Sequence, residues 1–444
     1  MELKGINSDI VNKISDIKQE PSWMREKRLS ALKTFEKFSL PSWGPDLSKI
    51  NFNEIATYIL GMKKTKASSW EEVTDDIKKV YDDLGIIKEE QKALAGLGAQ
   101  YQSEVIYNRI KKSLADKGVI FDDLNTAVKK YPKLIKKYFM TSCVPASDNM
   151  FAALHGALWS GGSFVYVPKN TKIELPLQAY FYMGTGGMGQ FEHTLIIAEE
   201  GSDIHYIEGC SAPQFTKLSI HSGAVEIFVG KGAKVRYTTI QNWAKNVYNL
   251  NTKRAIVDEQ GIMEWVSGSI GSAVTMLYPC TILKGKNSKA NHLSITIASS
   301  GQDIDIGSKI YHLAEGTTSI IKAKSISMNS GKTNYRGLVK ISKNAKNSVS
   351  SVECDALIVD DKSKSSTHPS MIVNNNSSIK SHEAKVGRIS EKELFYLMSR
   401  GISEEEAKEM IVNGFIEPVL KSIPFEYAIE FNKFLSMELK SNQG

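Results

Sequence analysis

Cys354, His382 and Glu383 have the chemistry to bind iron. Cys354 lies in SVECDALIVDD between Glu353 and Asp355, and the other two residues follow in KSHEAK. A thiolate, an imidazole and a carboxylate can together ligate iron. The alternative interpretation is that Cys354 is a small buried apolar residue and that His382 and Glu383 cap a turn.

Cys210 is a second candidate, because it stands in HYIEGCSAPQ at the end of a strand-like run. The proline turn that follows would let a partner protein reach this thiol, although a core position is the alternative. Cys143 and Cys280 have no charged neighbour within three residues, and we expect both to be structural. The four cysteines form no CxxC pair, which disfavours a disulfide framework and a structural zinc site.

A repeat of strand-like runs positions these residues. Residues from about 160 to 385 contain short runs of Val, Ile, Thr and Tyr that end in Gly, Asn or Ser, as in SFVYVP and VEIFVGKG. Their turns recur at intervals of roughly 26 to 31 residues, which favours a β-solenoid over a Greek-key sandwich. Residues one period apart lie side by side on stacked coils, so the repeat places KSHEAK beside the Cys354 strand. The turns are at Asn170, Gly201, Gly232, Gly261, Asn287, Gly316, Ala345 and Asn376.

The sequence predicts three regions: a helical N-terminal region at 1–150, a β-helix core at 151–388 and a helical C-terminal region at 389–444. The first region is rich in Lys, Glu, Leu and Ala. Its predicted helices are 73–84, 89–117 and 122–139, the last one broken at Pro132. Capping boxes start two C-terminal helices, and an amphipathic helix follows them. The residues that indicate these helices are Ser390 with Glu393, Ser403 with Glu406, and Ala428, Phe431, Leu435 and Leu439.

Composition and missing motifs exclude several classes of protein. The chain has 444 residues and a formal charge of +7 that is spread along it, so nucleic-acid binding is not indicated. The uncharged stretches 149–168 and 265–283 contain Ser, Gly and Pro, and no membrane span is predicted. The charged N-terminus is unlike a secretory signal, so we expect a cytoplasmic protein. No nucleotide-binding or hydrolase motif occurs, GTGGMGQ at 184–190 is interpreted as a loop, and we do not expect an enzyme.

Residues from roughly 85 to 440 contain the ordered segments GQFEHTLIIAEEGSDIHYIEGCSAP, QNW, NTKR, GSAVTMLYPCTILKG, TNYRGLVKI, ECDALIVDDKSKSSTHP and HEA. Together these segments resemble SufB of the SufB/SufD family, which acts in the SUF system of iron-sulfur cluster assembly. The resemblance implies a right-handed parallel β-helix between helical terminal regions, in agreement with the repeat. It also implies a scaffold that receives persulfide sulfur and iron and passes a transiently held iron-sulfur cluster to acceptor apoproteins.

The same resemblance implies roles for individual residues. Cys210 matches the cysteine that accepts sulfur from a cysteine desulfurase or its relay protein, and Cys354 matches the cysteine that anchors the nascent cluster. His382 and Glu383 match the ligands beside it, with Glu383 the stronger candidate. The residues that match the sulfur route between the two cysteines are Gln241, Trp243 and Lys253.

The resemblance also implies partners: a SufC-type ABC ATPase on the C-terminal helices, and a SufD-like paralogue or a second copy against the β-helix core. No motif indicates a flavin. Leu397 and Ser363 replace family cysteines, His193 replaces an arginine, and Leu397 with the following SRG resembles SufD. A SufD-like structural partner that carries no sulfur is therefore the main alternative. A polysaccharide-acting β-helix enzyme is a third reading, which the lack of a secretion signal disfavours.

Overall fold

The computed structural model describes residues 2–59 and 94–421, together with Lys78 and Ala428. This part of the protein is mainly β, with a solenoid of about eight turns and helices at both ends, which confirms the predicted fold class. The predicted helix at 73–84 lies outside the described residues, apart from Lys78. The same holds for Phe431, Leu435 and Leu439 of the predicted last helix.

Strands in the described residues far outnumber helices. The helices are α1 (Ser8–Ile17), α2 (Ser22–Phe35), α3 (Lys112–Ala115), α4 (Leu124–Lys130), α5 (Pro132–Tyr138), α6 (Met150–Leu158), α7 (Glu391–Ser399) and α8 (Glu404–Leu420). The strands are β1 (Glu2–Lys4), β2 (Ala56–Ile59), β3 (Gly96–Tyr101), β4 (Glu104–Ile110), β5 (Ile120–Asp123), β6 (Gly162–Val167), β7 (Leu177–Tyr182), β8 (Gly189–Gln190), β9 (His193–Ala198), β10 (Asp203–Ser211), β11 (Ser219–His221), β12 (Ala224–Val229), β13 (Lys234–Trp243), β14 (Val247–Val257), β15 (Ile262–Gly271), β16 (Val274–Leu277), β17 (Cys280–Leu283), β18 (Lys289–Ala298), β19 (Asp303–His312), β20 (Thr318–Ser327), β21 (Lys332–Ile341), β22 (Val349–Ile358), β23 (Lys364–Val373) and β24 (Ile379–Arg388).

The solenoid consists of two facing sheets, and the chain crosses from one sheet to the other in each coil. Strands β7, β10, β13, β15, β18, β20, β22 and β24 are parallel neighbours in one sheet. Along this sheet Asp203 pairs with Lys234, Lys234 with Ile262, Ile262 with Lys289 and Lys289 with Thr318. Each coil therefore takes 27 to 31 residues there, which is the period of the predicted turns.

Alternation of side chains along each strand separates an interior from an outer surface. In β13 the inward-facing Val235 and Tyr237 are fully buried and belong to the largest apolar cluster, whereas Lys234 and Arg236 on the other face are partly exposed. Parallel sheets occur almost only where other elements cover both of their faces. Here the facing sheet covers one side.

Helix α8 covers part of the outer surface. Val412, Ile416 and Val419 belong to one buried apolar cluster with Ile240 and Ile295, on the outer face of the sheet that contains β10. The helix starts at a capping box, in which Ser403 and Glu406 bond to each other's backbone N–H groups, and Ser390 caps α7 through the N–H of Glu393. Both predicted helix starts are confirmed.

The predicted helix at 89–117 is wrong where the structure describes it. Residues 96–101 and 104–110 form β3 and β4, and only Lys112–Ala115 is helical. Gly96 and Gly98 disfavour a helix, and EVIYNRI is rich in residues that favour strands. Strand β3 pairs in parallel with β7 and so extends the solenoid sheet, a long-range contact that overrides local composition.

Candidate functional site

Cys210 lies inside the solenoid on β10, only 2% exposed. Its Sγ donates to Glu208 Oε1 at 3.8 Å. Burial raises the pKa of this thiol well above its ordinary value, and the Glu208 carboxylate raises it further. In the resting chain Cys210 is therefore a protonated, weakly nucleophilic thiol.

Lys253 from β14, in the facing sheet, neutralises the acid beside Cys210. Its Nζ lies 2.9 Å from Glu208 Oε1 and 3.4 Å from both Tyr237 OH and Thr239 Oγ1. Both side chains of the ion pair are 2% exposed. Burial acts to raise the pKa of Glu208, but the Lys253 ammonium and hydrogen bonds outweigh it and hold this pKa below its usual value.

Gln241 and Trp243 stand on the next coil of the same sheet. Gln241 is in register with Cys210, and its Oε1 accepts from Asn249 Nδ2 at 2.7 Å. The Trp243 ring lies 4.3 Å from the His221 ring. The structure thus brings Cys210, Lys253, Gln241 and Trp243, which the sequence analysis grouped by resemblance, into one buried polar region.

Glu192 and His221 also belong to this region and were missed by the sequence analysis. Both are buried, as is Cys210, and one ligating atom of each of the three residues lies within 4.8 Å of the others. Glu192 Oε1 contacts His221 Nε2, and His221 Nδ1 lies 2.8 Å from Asn249 Oδ1. The sequence did contain a signal for this pair. Glu192 and His221 are polar residues within strand-like runs, and they are 29 residues apart. That spacing is one coil.

Cys354 occupies the other end of the solenoid, on β22. It faces inward and is 3% exposed. Burial raises the pKa of its thiol to about 12, and the acids Asp355 and Glu353 add to this, whereas the nearby Tyr335 hydroxyl opposes it. A metal ion would have to displace this proton before Cys354 could act as a thiolate ligand.

The structure does not bring Glu383 onto Cys354. Strand β24 pairs with β22 so that Cys354 faces Ala384 and Glu383 faces Glu353. Adjacent residues in a strand point to opposite faces, so the Glu383 carboxylate is outside the solenoid, 61% exposed and 2.9 Å from Lys385 Nζ. The Lys385 hydrogen bond and charge lower the pKa of Glu383.

His382 has the inward parity of Cys354. It lines a small pocket at the last coil together with Tyr335, Val352 and Met371. Within the described ranges, however, Cys354 is not part of any group of three metal-ligating side chains. The chain alone therefore offers Cys354 with His382 in the neighbourhood, and the predicted ligand role of Glu383 stays a prediction.

An interior row of small and polar residues joins the two cysteine sites. Glu208, the neighbour of Cys210, starts this row, and each residue pairs in register with the next until the row ends at Cys354. Six strands about 4.8 Å apart separate the two ends by roughly 24 Å. The members of the row are Glu208, Thr239, Ser267, Ser294, Ala323 and Cys354.

Family comparisons agree with this architecture. Residues 181–415 match the family described as "SUF system FeS cluster assembly, SufBD core domain", and residues 100–179 match the "SufBD protein N-terminal region". The chain belongs to the SufBD family. The SufBD core match spans both cysteine sites and the row between them.

Two curated SufBD relatives illustrate the similarity. The chain is 53% identical over 441 residues to an "Iron-sulfur cluster assembly SufBD family protein" of Staphylococcus aureus (strain MRSA252). It is 53% identical over 442 residues to a protein of the same description from Staphylococcus haemolyticus (strain JCSC1435). Each alignment covers 99% of this chain and 94% of the relative. Helices of the described residues are all too short or too polar to cross a membrane.

Proposed function

We propose that this SufBD-family chain is a SufB-like, non-enzymatic scaffold of the cytoplasm on which an iron-sulfur cluster is assembled. Cys210 accepts sulfur, Cys354 anchors the cluster, and the assembled cluster passes to acceptor apoproteins. The observation that supports this most is the interior row of residues from Glu208 to Cys354. Its hydroxyl-bearing members, Thr239, Ser267 and Ser294, offer polar contacts between the two cysteine sites.

The Cys210 region suits an anionic sulfur. The Cys210 thiol loses its proton, and the resulting thiolate attacks the sulfane sulfur of a donor persulfide on a cysteine desulfurase or relay protein. A new S–S bond forms at Cys210 while the donor's S–S bond breaks, and the departing donor thiolate takes up a proton. Gln241 Nε2 and Trp243 Nε1 are buried donors without a hydrogen-bond partner within the described part of the chain. They can donate to the persulfide.

The Cys354 region lies where a partner can complete it. Strands β23 and β24 end the two sheets, and most of their residues are exposed. Ile379 and Val386 are 67% and 50% exposed at this open end. An unpaired, apolar sheet edge favours pairing with another chain, here a SufD-like paralogue or a second copy. If light scattering showed the chain to be monomeric both alone and when mixed with the paralogue, this pairing would be contradicted.

The scaffold reading is tested by anaerobic reconstitution with iron and sulfide, followed by visible absorption and Mössbauer spectra. We expect a cluster in the wild type, its loss in Cys354→Ala and a reduced yield in Glu383→Ala. Cys280→Ala is the matched control, because Cys280 is another buried thiol, 2% exposed. It should retain the cluster.

The opposite result favours the structural alternative. If no sample took up a cluster under conditions in which a known scaffold does, the chain would be a SufD-like partner that supports the complex without carrying sulfur. Retention of the full cluster in Cys354→Ala would leave a scaffold but reject Cys354 as its anchor.

A further inference from the structure

The contact between the Glu192 carboxylate and the His221 imidazole requires a proton or a metal ion between the two contacting atoms. Asn251 Oδ1 accepts from the backbone N–H of Gly223 at 2.8 Å, so Asn251 Nδ2 is the donor to Asn249 Oδ1 at 2.9 Å. Asn249 Oδ1 is thereby fixed as the acceptor that faces His221 Nδ1 at 2.8 Å. The proton of a neutral His221 is therefore on Nδ1.

The other ring nitrogen consequently presents a lone pair to a carboxylate. His221 Nε2 contacts Glu192 Oε1, and two acceptors can meet only when a proton or a metal ion lies between them. Glu192 Oε2 is buried and has no hydrogen-bond partner within the described ranges. The contact is the kind of pair in which a metal ion can replace the shared proton.

Cys210 Sγ completes a set of three ligands of different chemistry. The three ligating atoms lie within 4.8 Å of one another. Tetrahedral sites with bonds of about 2.0 to 2.3 Å place their ligand atoms about 3.3 to 3.7 Å apart, so modest side-chain movements would suffice. The Nδ1–H···Oδ1 bond to Asn249 is the outer-shell contact that a histidine ligand ordinarily makes.

We propose that Cys210, His221 and Glu192 form a buried mononuclear site for a divalent metal of intermediate softness, with Fe²⁺ as the physiological candidate. One thiolate and one carboxylate balance a divalent charge, which makes the occupied site neutral in a low-dielectric interior. Binding releases two protons, one from the Cys210 thiol and one from the Glu192–His221 contact. A role for this site in loading iron beside the sulfur that Cys210 accepts rests on the proposed function. The metal site itself does not rest on it.

Anaerobic titration of the full chain with Co²⁺, a spectroscopic substitute for Fe²⁺, tests the site. We expect one equivalent to bind with a thiolate-to-cobalt charge-transfer band and with two protons released in weak buffer. The band should vanish in Cys210→Ser, and affinity should fall at least tenfold in His221→Gln and in Glu192→Gln. Asn249→Ala should weaken binding about 10-fold to 100-fold without changing the stoichiometry, as loss of an outer-shell contact does.

Cys143→Ser and Cys280→Ser are matched controls that should keep the band, because both are buried thiols outside the proposed site. Near-ultraviolet circular dichroism verifies the fold of each variant. A wild type without a charge-transfer band, or a band that persists in Cys210→Ser, overturns the proposed site. Persulfide loading of Cys210, followed separately by mass spectrometry, distinguishes the two proposals. Sulfur acceptance without metal binding rejects only the metal site, and metal binding without sulfur acceptance rejects only the scaffold role of Cys210.

Discussion

At the scale of single residues, three buried titratable groups, His155, His193 and Glu226, lie next to one another on the outer side of the sheet that contains β9 and β12. His155 Nδ1 donates to the Ser222 carbonyl at 2.8 Å, so His155 Nε2 accepts from His193 Nδ1 at 2.9 Å. His193 Nε2 then faces Glu226 Oε2 at 3.2 Å. Burial lowers the pKa of His193 to about 3 and raises the pKa of Glu226 to about 8. All three groups are therefore neutral at pH 7.

This arrangement predicts an unusual pH dependence of stability. The pKa of Glu226 is about 8 when folded and 4.5 in the reference state, so the folded chain binds this proton more tightly. The free energy of unfolding should therefore fall as pH rises from about 4.5 to 8. Above about pH 7 His193 is neutral in both states and adds no slope. Urea titrations at pH 7 and 8 should show this loss in the wild type and a smaller loss in Glu226→Gln.

Glu200→Gln is the control for that measurement, because Glu200 is half exposed on a turn. It should keep the wild-type slope. If the free energy of unfolding of Glu226→Gln fell with pH as steeply as that of the wild type, a protonated Glu226 in the folded chain would be contradicted.

The Glu208–Lys253 pair makes a separate prediction. Lys253→Met leaves a buried carboxylate unpaired and should destabilise the fold by about 3 to 5 kcal/mol, measured by urea unfolding. Glu208→Gln with Lys253→Met removes both charges and should recover much of this loss. If the double variant is as unstable as the sum of the single variants, the pair is not coupled.

At the scale of elements, α7 is a helix without a buried side. Phe395 and Tyr396 are 74% and 57% exposed, and Met398 is 42% exposed. The neighbouring α8 packs one face on the solenoid, so the pair is fixed to the core while α7 presents apolar side chains outward. Such a patch is typical of a protein interface, and we propose that a SufC-type ABC ATPase binds there.

Phe395→Asp should weaken co-purification of such an ATPase at least tenfold, because it places a charge at the centre of the patch. Leu313→Asp is the control, since Leu313 is an exposed apolar residue, 44% exposed, on a solenoid turn far along the chain. Equal binding by both variants would place the ATPase elsewhere.

At the scale of the whole molecule, the two cysteines that the proposal uses are both closed to solvent in the isolated chain. On the proposed function, cluster assembly requires a rearrangement, and we propose that ATP hydrolysis in an ATPase partner drives it. Labelling of Cys354 by a small maleimide should be slow in the chain alone and at least tenfold faster in the complex with ATP. Cys280, buried to the same degree, should label slowly in both. An ATP-independent rate at Cys354 would argue against this coupling.

Sequence by itself determined the solenoid, its period and the starts of α7 and α8. These features depend on local periodicity and capping, which are visible in a single chain segment. The resemblance added the grouping of Cys210 with Gln241, Trp243 and Lys253. Local composition misassigned β3 and β4, whose strand character depends on pairing with β7.

Only the tertiary structure decided which side chains meet across the interior. The repeat correctly placed Glu383 on the coil beside Cys354, but a one-residue offset in register turns Glu383 to the outer face. Glu192 meets His221 between neighbouring coils, and Lys253 reaches Glu208 from the facing sheet. Spacing along the chain specifies the coil. The face and the partner are set by register and by the approach of the two sheets, which no local pattern contains.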